Sequence, residues 1–158
     1  MPSRIHSMLF VAMLVIVSPQ LFAAKAPPIS DAIRMIVITG DEGIHYERGC
    51  AFYELRALLA RHEDDAMAAI DRSKVPQFEI RLIGKAGTAT VYVGERWMRT
   101  ATGTATFPAD EYERIVALVD KRKGEGVPKD KIDASIRRAT KLIQHPKYVE
   151  DKRCEETY

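Results

Sequence analysis

Between Phe78 and Phe107 the chain falls into a period of two, and this constrains the fold more than any other feature. "FEIRLIG" sets Phe78, Ile80 and Leu82 on one side against Glu79 and Arg81 on the other. "TATVYVG" repeats the pattern, with Ala89, Val91 and Val93 opposed to Thr88, Thr90 and Tyr92. Strict alternation describes a strand with one buried face and one wet face. The short "KAG" between the two runs joins them as an antiparallel hairpin, because so tight a connection cannot serve parallel neighbours. Gly94-Glu95 marks a second turn, leading into "RWMRTA" and "TATF", with Gly103 as a kink or bulge. An antiparallel meander of about four strands is expected.

A sheet with one apolar face needs a cover, and the flanking segments supply it. Phe52, Leu55, Leu58, Leu59, Met67 and Ile70 recur at helical spacing, predicting helix over Cys50 to Arg72, whole or broken near Glu63-Asp64-Asp65. Pro108 opens a second helix with the stripe Tyr112, Ile115, Val116, Val119. Its acids lead and Lys121, Arg122 and Lys123 follow, matching the helix dipole. "EGVP" links to a last helix, Lys129 to His145, with the stripe Ile132, Ile136, Ala139, Ile143 and a stop at Pro146. Before these, "AIRMIVIT" (32–39) reads as a strand, and Ile44 to Tyr46 as a short one. The fold class is α+β: a meander packed on one face by the N-terminal-half helix and the two C-terminal helices.

Residues 1–23 form the expected signal peptide. Arg4 gives a basic start, Met8 to Val17 an apolar core, and Ala23-Ala24 a small-residue cleavage site. That core is too short for the roughly 20 apolar residues of a membrane span. Residues 24–31, "AKAPPISD", read as an unstructured leader, and 32–158 as a single α+β domain. The expected location is the bacterial periplasm or the medium, with no membrane span after cleavage.

Export decides what the cysteines do. Both Cys50 and Cys154 belong to the mature chain, in a compartment where disulfides persist, and two cysteines allow one intramolecular pairing. The bridge would close a loop of about 100 residues, worth roughly 4–5 kcal/mol in the chain-entropy model. The rival reading makes Cys50 a nucleophile. A Gly-Cys at a helix N-terminus followed by a sheet resembles cysteine peptidases of the papain and cell-wall kinds, but they need a histidine on the sheet. None lies between Phe78 and Phe107, leaving His45 or His62 as partners for a thiol-dependent hydrolase. No metal spacing occurs. His62-Glu63-Asp64-Asp65 reads as a solvated acidic bend and Asp41-Glu42 as turn chemistry, so no metal or other cofactor is expected.

Once the signal peptide is removed the net charge is +1, which by itself marks no polyanionic partner and gives no sign of nucleic-acid binding. Arg137, Arg138 and Lys141 form a basic helix face that could meet an anionic polymer but reads first as a solvated face. The alternating Thr88, Thr90, Thr100, Thr102, Thr104 and Thr106 read as the polar face of a half-buried sheet. The most informative local feature is the hairpin end Glu95-Arg96-Trp97, since Trp and Arg are enriched at interface hot spots. A lone Trp equally suits the role of a core cap, and Trp97 is expected to be partly buried.

"VITGDEGIHYERGCAFYELRALLARH" followed by "QFEIRLIG" resembles the periplasmic domain of energy-transducing TolR-type proteins, where strand, turn, amphipathic helix and second strand follow in this order. The resemblance covers a third of the chain. The membrane-helix acid of that family has no counterpart in Met8–Val17, and the later meander and helices do not fit, so no function is carried across. The functional expectation is a small exported binding domain of the bacterial cell envelope, acting by protein–protein contact, with an inhibitor or immunity-type protein as one concrete form. The alternatives are the Cys50 hydrolase and an envelope-associated structural protein.

Overall fold

The computed structural model describes residues 27–47, 49–65 and 69–149. The expected signal peptide and Cys154 lie outside the described residues. The class is α+β, as expected, but the sheet has seven strands rather than about four. In chain order they are β1 (Arg34–Thr39), β2 (Glu42–Glu47), β3 (Phe78–Gly84), β4 (Gly87–Gly94), β5 (Trp97–Arg99), β6 (Thr104–Thr106) and β7 (Val127–Pro128). The helices are α1 (Cys50–Ala60), α2 (Ala109–Asp120) and α3 (Ile132–Ile143). Across the sheet the order is β6-β5-β4-β3-β1-β2-β7, and every neighbouring pair is antiparallel.

The meander is β3 to β6, in the register its alternation requires. The added strands come from segments whose pattern differs. Ile33 to Ile38 is almost continuously apolar because β1 sits centrally, between β2 and β3, and is covered on both faces. Met35 and Val37 enter the main core, whereas Ile36 enters a second one. "EGVP" is more than a linker: Val127 and Pro128 pair with Gly43 and Glu42, and a proline is tolerated there because β7 is an edge.

The three helices do not share one face. α1 and α2 cover the side bearing Phe78, Ile80, Leu82, Val91, Val93, Met98 and Ala105. α3 lies on the opposite side, where Ile132, Ala139 and Ile143 pack with Ile33, Ile36 and Ile83. Close approach is possible because β2 carries Gly43. A Cβ there would stand 2.9 Å from Ile132 Cγ1. Ser135 on α3 also meets His45 on β2, Oγ to Nε2 at 2.8 Å. Half-burial holds the His45 pKa below its ordinary value, since burial disfavours the charged imidazolium.

α1 is shorter than its apolar spacing predicts, ending at Ala60 and passing into turns up to Asp65. The acidic bend has structural work of its own. Glu63 accepts hydrogen bonds from Ile29 N at 3.1 and 2.9 Å. It thereby caps the 3-10 turn Ile29–Asp31, whose Ile29 is buried, so the end of the leader is packed rather than loose. His62 bridges to α2: its Nε2 lies 2.5 Å from Glu111 Oε2, and its ring stands edge-on to Phe107 at 5.1 Å.

Candidate functional site

α3 covers the second face of the sheet only over β1, β2 and the end of β3. The alternating partners of the core residues on β3 to β6 therefore lie beyond its reach. Strand register aligns four of them in one row: Glu79 on β3 opposite Tyr92 on β4, Tyr92 opposite Arg99 on β5, and Arg99 opposite Thr104 on β6. Arg81 and Thr90 form the next row inward, and Trp97 and Thr106 the row toward the hairpin end.

Trp97 is placed by the β4–β5 turn. Gly94 pairs with Trp97, and the indole lies flat where a side chain at position 94 would stand. This is the reason for glycine at that position. Arg99, two residues on and on the same face, lays its guanidinium 4.8 Å from the Tyr92 ring centroid and 5.5 Å from that of Trp97. Both distances suit cation–π attraction. Its Nη1 donates to Asp71 O at 2.7 Å, which fixes the group further.

Residues 69–77 run across this end of the face. Asp71 N donates to Thr104 Oγ1 at 3.3 Å, and Lys74 Nζ stands 5.9 Å from the Trp97 ring. The Asp71 carboxylate accepts from Ser73 N at 3.0 Å and Ser73 Oγ at 2.6 Å. Those bonds hold its pKa below the ordinary value. Ile70 and Val75 on the same segment are exposed apolar side chains, Val75 at 86%. Deeper on the face Arg81 pairs through Nη2 with Glu79 Oε1, while Arg81 Nε is buried without a hydrogen bond. The arrangement is a flat, mixed surface of stacked cations, a carboxylate and hydroxyls, edged by an apolar loop.

The expected site residues are divided by this geometry. Glu95 and Arg96 are exposed at the turn, and Arg96 adopts φ 56°, a left-handed conformation. Trp97 is 6% exposed, so it is a buried support for the face and not a projecting anchor. Glu95 leans the other way, raising the Tyr112 pKa on α2 together with burial, which is the larger cause. Tyr92, Arg99 and Lys74 escaped the sequence reading. The first two had a signal, since the register after a two-residue turn at Glu95-Arg96 pairs Tyr92 with Arg99. Lys74 lies on an aperiodic loop and had none.

The structure does not bring the residues of the hydrolase reading together. Cys50 opens α1, on the main-core side of the sheet. His45 points to the other side and is engaged by Ser135. His62 lies past the far end of α1 from Cys50 and is held by Glu111. Among the described residues no cysteine is free, no three or more His, Cys, Asp or Glu gather as a metal site, and no helix is long and apolar enough to cross a membrane. Arg137, Arg138 and Lys141 lie on the exposed side of α3, with all three side chains in solvent. No protein-family model matches this chain, and no curated protein or solved structure matches it.

Proposed function

We propose that the chain is a small exported binding domain of the bacterial cell envelope, acting by protein–protein contact as an inhibitor or immunity-type protein. Its contact surface is the second face of β4 to β6 beyond α3, with the loop 69–77 that crosses it and the Glu95-Arg96 turn. One observation carries the reading: a rigid Tyr92–Arg99–Trp97 stack lies on a half of the sheet that α3 leaves uncovered. Stacking and the bond to Asp71 fix the Arg99 rotamer before any partner arrives, so less side-chain entropy is lost on binding. The left-handed Arg96 fits the same reading, because backbone strain concentrates where a contact needs a particular shape. The expected signal peptide over residues 1–23 supports the exported setting.

The test uses the mature chain, without residues 1–23, as bait in periplasmic extract, followed by titration of each purified captured protein. Tyr92→Ala and Arg96→Glu should each weaken binding at least tenfold, whereas Arg114→Ala on α2 should leave it within twofold. Sensitivity to Arg114 alone would move the contact surface to the helical side and refute the assignment.

A further inference from the structure

The same face carries a local charge excess that the near-neutral chain conceals. Arg72 and Lys74 are exposed on the crossing loop, Arg96 at the turn, and Arg99 lies between its two rings. Lys74 and Arg99 approach the same indole, so two cations share one aromatic surface. The acids nearby offset them only in part, since Asp71 alone among them acts on Lys74 and Arg99. Asp71 is engaged by Ser73 and Glu79 by Arg81. Unlike the basic residues of α3, Lys74 and Arg99 lie against aromatic rings, and the loop carrying Lys74 also exposes Ile70 and Val75.

We infer that the Lys74–Arg99 face docks an acidic protein surface, one presenting carboxylates beside an aromatic or aliphatic side chain. This rests on the protein-binding reading above and adds the chemistry of the partner. Charge complementarity selects the carboxylates, which meet the exposed Arg72, Lys74 and Arg96 beside the stacked Arg99. The apolar loop residues select a protein over a uniformly charged polymer. The Asp71 carboxylate on the crossing loop acts the same way, since it stays charged and repels a continuous anionic surface such as a lipid bilayer but is tolerated by a protein surface of mixed charge. Trp97 is the single tryptophan of the chain and lies directly beneath the two cations, so its emission reports occupancy.

The probe is a random glutamate–tyrosine copolymer, titrated into the mature chain with excitation selective for tryptophan. Phosphatidylglycerol vesicles form a parallel arm. The copolymer should shift Trp97 emission and bind at least tenfold more weakly when salt rises from about 50 mM to about 0.5 M, as exposed charges are screened. The double variant Arg72→Glu/Lys74→Glu should lose at least tenfold in affinity with an unchanged thermal melt. Arg138→Glu/Lys141→Glu on α3 should bind as wild type. Equal binding by the loop variant, or equal loss in the α3 variant, overturns the inference. Tight vesicle binding that depends on Lys74, with no copolymer binding, also overturns it in favour of a membrane surface. A captured protein whose affinity ignores Arg72 and Lys74 would overturn this inference while the protein-binding reading stands. Charge-dependent copolymer binding with no captured protein would support the surface and count against that reading.

Discussion

Replacing Trp97 by alanine separates support from anchor. The side chain is 6% exposed and lies over Gly94, with Arg99 and Lys74 above it. Truncating a buried aromatic of this kind costs about 3–5 kcal/mol. Cation–π attraction adds about 0.5–1 kcal/mol for each partly exposed cation, but Arg99 keeps Tyr92 and its bond to Asp71, so only part of that is lost. Residues 69–77 can settle into the vacated space, which favours the lower end of the range. A net loss of about 3–4 kcal/mol is expected, or a fall in melting temperature of the order of 10 °C for a domain this size. Urea unfolding followed by circular dichroism measures it without the lost fluorophore, and an unchanged m-value would show that the loss is stability itself. A loss under about 1 kcal/mol would show that Trp97 is not buried as described, and the support role would fail.

Glu111 makes the joint between α1 and α2 acid-sensitive. Its pKa lies below the ordinary value of 4.5, through the hydrogen bond from His62 first and that from Arg61 after it. Its contribution is therefore present above the unfolded carboxylate value and lost as pH falls through the folded one. Glu111→Gln should flatten the acid limb of a stability–pH profile, and an identical limb would refute the linkage. Arg96→Gly should raise stability by a few tenths to about 1 kcal/mol by relieving the left-handed backbone, while weakening binding to a captured partner. A destabilised variant would mean that the Arg96 side chain holds the turn. Denaturing the exported protein without reductant should expose no thiol if Cys50 and Cys154 are bridged, and two thiols would remove the bridge. Mass spectrometry of the same material should place the N-terminus at Ala24 or Lys25, and an intact Met1 in a membrane fraction would contradict processing.

The legible parts of the fold were those where one periodic pattern has one physical meaning. β3 and β4 alternate because one face is dry and the other is not, so register and facing followed directly. β1 carries no alternation, and a run such as Ile33–Ile38 indicates burial on both sides without saying what lies there. That run was nonetheless the sign of a second layer. The stripes on α2 and α3 are equally amphipathic, and each shows that a face is buried but not against which side of a sheet. Gly43, where Ile132 seats α3, looks in sequence like ordinary turn chemistry. α1 stops at Ala60, and the Glu63 carboxylate just beyond it bonds the Ile29 turn, a contact 34 residues back that no local pattern encodes.

The candidate site was legible to the same extent. Trp97 stood out by its type, and Tyr92 and Arg99 follow from hairpin register. Lys74 and Asp71 arrive by a loop whose path depends on tertiary packing, and they decide whether Trp97 is a surface knob or a floor.

The central claim is that contact occurs on the face of β4 to β6 that α3 leaves uncovered, with the loop 69–77 crossing it, and a hydrogen-exchange footprint tests it most directly. The mature chain is compared alone and saturated with a captured partner. Slowed exchange should appear in residues 69–77 and in β5, with the Glu95-Arg96 turn, and α2 should be unchanged. Protection confined to α2 or to the outer face of α3, with 69–77 and β5 unaffected, would contradict the account.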